Sequence, residues 1–203
     1  MMPAGFTDKE KQQIEKRLID EGEKLFSLHG LKKTTIKEIT EAVGISQGSF
    51  YKFFDSKEDL YFKILDLEGH KIRKELYEDL DLIENKPKKG LKKLLINTYQ
   101  ILEENKLFED LIYGDSYNIL VRKLPEEKIE EHIETDFKEI EPLIIKWQEM
   151  GILKDINPKA VTGLLHALFY VTIHKKDIGK SVYNETFELL VELIVEGLVK
   201  ERE

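Results

Sequence analysis

No cysteine occurs among the 203 residues. That excludes a disulfide framework, a thiolate metal site and a cysteine nucleophile, and it fits a reducing compartment. Long apolar runs are missing as well. No stretch approaches the roughly 18 apolar residues of a membrane span, and the opening "MMPAGFTDKEKQQIEK" lacks the apolar centre of a signal peptide. A cytoplasmic protein is expected. Strand-like alternation, internal repeats and low-complexity tracts are absent, and so are a glycine-rich phosphate loop and H-E-x-x-H. The expectation is therefore a protein without catalytic residues or cofactor. His132 and Asp136 stand at i, i+4 in "HIETD", a spacing that a metal or a solvated acidic face would both use. The surrounding "EEHIE" favours the solvated face, and no metal is expected.

What is present is 41% hydrophobic and 35% charged residues, enough apolar material for a core and too much for a disordered chain. The net charge is −8, which taken whole argues against a polyanionic partner. Its distribution argues the other way. Residues 30–57 hold Lys32, Lys33, Lys37, Lys52 and Lys57 against Glu38, Glu41 and Asp55, a local balance of +2 that leaves −10 for the rest. Phosphate binding depends on the local patch more than on the total.

Nearly every segment carries apolar residues at helical spacing. Ile14, Leu18, Leu25 and Phe26, with Gly22 on the same stripe, predict a helix over 8–29, and Gly30 suits a left-handed cap. Thr35 and Glu38 form a capping-box pattern before Ile36, Ile39 and Val43. Gly44 ends that helix, and Ser46 is a good N-cap for a short third helix over roughly 47–53. Ser56 and Asp59 make a weaker box. Leu60, Ile64, Leu67, Ile72, Leu76, Leu80 and Ile83 then keep one long helix in register. Pro87 suits the first turn of the next helix. The apolar pattern over 91–121 breaks near Asn105 and Gly114. Another helix starts at Pro125, with a kink or restart at Pro142 and a stop near Gly151. Asn157 and Pro158 open the segment containing "GLLHALFYVTIH", and "ETFELLVELIVEGLVK" closes the chain. The fold class is all-α.

The stretch "GISQGSFYKFF" joins two short helices through a turn of helix-turn-helix length. In that motif the first helix braces and the second enters the DNA major groove. The second helix needs small and polar residues in its first turn, so that its backbone approaches phosphates and base edges. Ser46, Gln47, Gly48 and Ser49 supply them. Its back must be apolar, and Phe50 and Phe54 supply that. Tyr51 and Lys52 point forward or sideways toward phosphates. Lys57 sits in the first turn of the following helix, where its ammonium and the helix dipole favour the same anion, and Thr35 starts another helix as a second phosphate anchor.

The run "TTIKEITEAVGISQGSFYKFFDSKEDLYFKIL" resembles the DNA-binding region of the TetR family of transcriptional regulators. The likeness rests on the threonine pair, an I-x-x-I-x-x-x-x-G brace, a small-residue turn, then Gly48, Tyr51, Phe54, Lys57, Glu58 and Leu60. It covers roughly residues 10–65, and beyond them the chain matches only as an all-helical region of suitable length. The family often has histidine or tyrosine where this chain has Lys52 and Phe53, which leaves open whether these two contact DNA or pack. The resemblance implies a helix-turn-helix DNA-binding domain over 1–55, followed by a helical effector-binding and dimerisation domain over 56–203. It also implies a homodimeric repressor of a palindromic operator, released by a small effector.

Half-sites one DNA turn apart need two recognition helices roughly 34 Å apart, which one copy of the motif cannot provide. Nine of the thirteen residues from Phe187 to Val199 are apolar, and Gly163 and Ala167 permit close helix approach. The two C-terminal helices are thus either the dimer contact or simply buried within one chain. Tyr99, Phe108, Tyr113, Tyr117, Trp147, His166, Phe169 and Tyr170 either line a cavity for an apolar or amphipathic effector or form ordinary core. The alternative to the whole reading is a helical protein-interaction module without sequence-specific DNA binding.

Overall fold

Local capping sets the first elements. In a computed structural model that describes residues 6–77, 80–179 and 181–201, the Thr7 side chain accepts from the Glu10 N–H while the Glu10 carboxylate accepts from the Thr7 N–H. This box starts α1 (Asp8–Lys33), which buries Leu18, Gly22, Phe26 and Leu31. Gly30 leaves helical geometry at φ 75, a value that favours glycine, so the last turn of α1 sets off in a new direction. The predicted box at Thr35 and Glu38 starts α2 (Ile36–Val43). Gly44, left-handed at φ 77 and ψ 37, ends it, and the Ile45 N–H reaches back to the Thr40 carbonyl at 3.0 Å. Ser46 then caps α3 (Gln47–Phe50). α3 is shorter than expected, but the Phe53 and Phe54 N–H groups both bond to the Phe50 carbonyl, so residues 51–53 continue as a turn.

α4 runs Lys57–Tyr77 and α5 Asp81–Asn85. The unbroken helix expected through Ile83 is therefore not found, and residues 78–79 lie outside the described residues. A physical reason sits on α6 (Pro87–Glu104). A Cβ at Gly90 would lie 2.5 Å from the Ile83 nitrogen, so α5 folds back with its backbone against α6. α7 (Lys106–Tyr113), α8 (Ser116–Lys123) and α9 (Glu126–Glu149) follow. Of the kink or restart expected at Pro142, the restart is not found, since α9 continues through it. It ends before Gly151, whose φ is 67. α10 (Pro158–Ile173), capped by Asn157, α11 (Lys175–Ile178) and α12 (Tyr183–Leu198) complete the chain. An isolated antiparallel bridge pairs Leu153 with Val199. Among the described residues no helix is long and apolar enough to cross a membrane.

The helices form two compact units. The first holds the described residues up to Gly69 together with 106–124. Its boundary differs from the expected 1–55 segment, because the start of α4 and the α7–α8 hairpin pack with the N-terminal helices. Gly22 lacks a Cβ and so admits Leu60 and Ile64, while Phe26 meets Tyr61 edge-on at 5.0 Å. Tyr61 is fully buried and its hydroxyl donates to the Leu107 carbonyl at 2.9 Å. Burial, and after it the charge of Asp110, pushes the Tyr61 phenol pKa up.

The second unit holds 70–105 and the described residues from 125 on. Its core is built from Leu91, Leu95, Ile144, Trp147, Val161, Leu168, Phe187, Val191 and Ile194. Lys88 pairs with Glu196 and Lys92 with Glu192 along the outside of α6 and α12.

Candidate nucleic-acid interface

The interface starts at Thr34 and Thr35, neighbours with opposite fates. Thr34 is fully buried and donates to the Gly30 carbonyl at 2.9 Å. Thr35 is exposed, and its side chain and N–H both hydrogen-bond Glu38. Those bonds to Thr35 hold the Glu38 carboxyl below the usual carboxylate range.

The Ser46 hydroxyl accepts from the Ser49 N–H at 3.2 Å and lies 2.9 Å from the Ser49 hydroxyl. Ser46, Gln47 and Gly48 are exposed and Ser49 is half-buried. A Cβ at Gly48 would meet nothing nearer than the Ser46 hydroxyl at 3.9 Å. The glycine therefore serves no internal packing, and the space in front of it is open. Behind it Phe50 and Phe54 are buried, their rings 6.0 Å apart. Tyr51 is 58% exposed with its ring edge-on to Phe50. A polar, exposed front thus stands on an apolar anchored back, the arrangement that lets a short helix enter a groove without tilting.

Lys52 and Phe53 share a neighbour. The Lys52 ammonium lies 5.4 Å from the Phe6 ring centre, and Phe53 packs on the same ring at 6.2 Å. Lys52 is exposed, whereas Phe53 is half-buried. Lys57 departs from expectation. Its ammonium donates to the carbonyls of Leu31 at 2.7 Å, Thr34 at 2.8 Å and Lys32 at 3.3 Å. Its three donors go to the end of α1, so the ammonium faces the turn before α2 rather than outward. Spacing gave no sign of this, because the acceptors are backbone groups more than twenty positions away.

The aromatic residues expected around an effector are spread over both units. Tyr113 is exposed on α7 and Tyr117 half-buried on α8, in the first unit with the buried Phe108. In the second unit, Tyr99 and Trp147 belong to the core. The Tyr99 hydroxyl donates to the Leu168 carbonyl at 3.3 Å and its ring meets Phe187 at 3.9 Å. The Trp147 Nε1 is buried without a hydrogen bond. Phe169 is half-buried and Tyr170 exposed on α10. A groove on this unit is lined by Ile145, Gln148, Leu153, Lys154 and Lys200, and none of the expected effector residues lines it.

His166 joins a polar cluster instead. Its Nε2 lies 3.5 Å from Asp136, which pairs with Arg73 at 3.1 Å and stands 3.8 Å from His132. Arg73 also pairs with Glu139, and so does His70. Burial pushes the Asp136 carboxyl up, but His166, Arg73 and His132 outweigh it and hold it below the usual range. The i, i+4 pair read from the sequence is thus part of a half-buried ion network rather than a solvated face. Among the described residues no three His, Asp or Glu side chains are arranged to hold a metal.

Comparison with known proteins agrees with this geometry. Residues 18–64 match the profile described as bacterial regulatory proteins, tetR family. The HTH-type transcriptional regulator AcrR of Shigella flexneri is 27% identical over 110 residues, which are 53% of this chain and 51% of that relative. The chain thus spans about half the length of this relative. A crystal structure of a TetR-family transcriptional regulator from Pectobacterium atrosepticum superposes with a TM-score of 0.76 at 15% identity, covering 98% of this chain and 100% of the other. SmeT, the repressor of the Stenotrophomonas maltophilia multidrug efflux pump SmeDEF, solved in complex with triclosan, gives a TM-score of 0.61 at 18% identity, covering 94% of this chain and 93% of the other. At these identities the structural likeness speaks for the fold.

Proposed function

Because this chain belongs, through residues 18–64, to the tetR family of bacterial regulatory proteins, we propose that it is a DNA-binding transcriptional regulator. In this reading it is a homodimeric repressor of a palindromic operator, released by a small apolar or amphipathic effector. The observation that carries the DNA-binding role is the exposed front of Ser46, Gln47, Gly48 and Tyr51 over buried Phe50 and Phe54. Gln47 and Ser49 offer groups for base edges, while Ser46, Tyr51 and Lys52 offer donors for phosphates, and Thr35, whose N–H and hydroxyl are both given to Glu38, starts α2 beside them. Lys57 supports from behind, holding the turn that leads into Thr35.

The dimer is supported by apolar surface that one chain leaves uncovered. On α12, Leu189 and Leu193 are 56% and 60% exposed at i, i+4, and a Cβ at Gly197 beyond them would meet nothing within 4 Å. On α10, Leu164, Ala167 and Tyr170 are exposed, and Gly163 is equally open. Small residues beside exposed leucines suit close helix approach by a second copy. The effector is supported by the triclosan complex of SmeT and by Phe169, Tyr170 and His166, which are not fully buried.

The test is a gel shift on the DNA upstream of the protein's own gene, and on a random duplex pool, at two salt concentrations. Wild type binds with an affinity that falls steeply as salt rises, and Tyr51→Ala loses at least about tenfold. Binding to neither target, or salt-independent capture of a protein partner alone, would overturn the reading.

A further inference from the structure

The turn between α1 and α2 is held from a helix far away in sequence. Gly30 turns the chain at φ 75, and the Leu31 N–H that follows donates to the Asp110 carboxylate on α7 at 2.9 Å. The same Asp110 oxygen accepts from the hydroxyl of Ser116, which is buried at the start of α8. Two glycines make room for this carboxylate. A Cβ at Gly30 would lie 3.0 Å from one of its oxygens, and a Cβ at Gly114 would lie 2.4 Å from the other. Lys57 grips the opposite polarity of the same turn, the carbonyls of Leu31, Lys32 and Thr34. Leu31 is thus held at both of its backbone polar groups, by an anion on α7 and a cation on α4. Buried Thr34 closes the turn through its bond to the Gly30 carbonyl, and the next residue is Thr35.

We propose that Asp110 is a positioning residue for DNA recognition, clamping the 31–34 turn so that Thr35 and α2 are held in the place where α3 can enter the groove. Asp110 and Ser116 lie outside residues 18–64, so the turn before α2 depends on a hairpin that the family's DNA-binding profile does not contain. A hydrogen bond from a half-buried amide to a charged acceptor is among the stronger kinds, and its loss leaves the amide without a partner. A turn that loses it gains freedom next to Thr35 and the start of α2. The inference rests on the DNA-binding reading above.

The experiment compares full-length wild type, Asp110→Ala, Asp110→Asn, Ser116→Ala and, as a control for stability alone, Ile64→Val. The probe is a duplex that wild type selects from a random pool, and melting temperature and amide exchange at 31–35 are read in parallel. Asp110→Asn keeps an oxygen where the Leu31 N–H and the Ser116 hydroxyl converge, so it stays within about threefold of wild-type affinity. Asp110→Ala weakens binding about tenfold and speeds exchange of the Leu31 amide. Ile64→Val trims a buried methyl packed on Gly22 in the same unit, away from the clamp. It lowers the melting temperature without weakening DNA binding in proportion. Should Asp110→Ala not fold, Ser116→Ala carries the test with an intermediate loss of affinity. Wild-type affinity in Asp110→Ala, or in Ser116→Ala if that variant stands in, would overturn the proposal. So would equal losses in Asp110→Ala and Ile64→Val at matched melting temperatures. If wild type selects no duplex, the regulator reading falls and the positioning role with it. Faster Leu31 exchange in Asp110→Ala would then mark the clamp as purely structural.

Discussion

The two units hold their shapes by different means. At the starts of α2, α3 and α4, cap groups are satisfied by partners three positions away: Thr35 with Glu38, Ser46 with Ser49, Ser56 with Asp59. In the second unit the polar partners are far apart in sequence, as in Arg73 with Asp136, Lys175 with Glu103 and Lys88 with Glu196. The exposed pairs among these contribute little to stability, so apolar burial over α6, α9, α10 and α12 carries that unit. A helix as short as α3 has too little surface for such burial. It is fixed point by point, by caps in front and two phenylalanines behind.

Breaking the back of the first unit should have the largest effect. Phe50→Ala empties a fully buried site and is expected to cost about 3–5 kcal/mol, read by urea unfolding, with DNA binding lost. An unchanged midpoint would mean that α3 is not anchored by its apolar face. The second unit should instead fail at its surface. Leu193→Glu places a charge on the exposed stripe of α12 and is expected to weaken self-association by about 2 kcal/mol or more with helicity intact, read by sedimentation. A dimer of undiminished strength would place the contact elsewhere.

Smaller effects sharpen the contrast. Thr35→Ala removes the α2 cap and is expected to cost about 1 kcal/mol in thermal unfolding, with a further loss in DNA affinity. A stability loss without an affinity loss would remove Thr35 from the phosphate contacts. The smallest effect is that of acid. Asp136 titrates below the usual carboxylate range when folded, so the stability it lends is present above that range and lost as pH falls through its folded value. Asp136→Asn should flatten the acid side of the stability profile. The same slope in the variant would assign that loss to other carboxylates.

Much of the first unit was readable because its determinants are local. The capping box at Thr35, the left-handed Gly44, the Ser46 cap and the burial of Phe50 and Phe54 all follow from spacing within one or two turns. Lys57 misled for the same reason. Its position at the start of a helix suggests an outward anion contact, while its ammonium turns inward to carbonyls 23 to 26 positions back. Asp110 carries no local sign of this role, since the amide it accepts from is 79 positions away. Apolar periodicity ran α4 and α5 together because both bury one face and periodicity does not register a turn between them. Aromatic residues were equally ambiguous. Tyr99 and Trp147 are core, and His166 faces Asp136, which no spacing rule connects to it.

The sequence alone therefore determined that this chain is helical, where most of its helices begin and end, and which short helix presents a polar front. Each of those follows from backbone hydrogen bonds and side-chain periods confined to a few residues. Only the tertiary structure decided that α7 and α8 belong with the N-terminal helices, that Lys57 faces inward, and that His166, Asp136 and Arg73 meet. Such pairings depend on how distant helices pack, and the energy that selects them is spread over many apolar contacts rather than written at any one position.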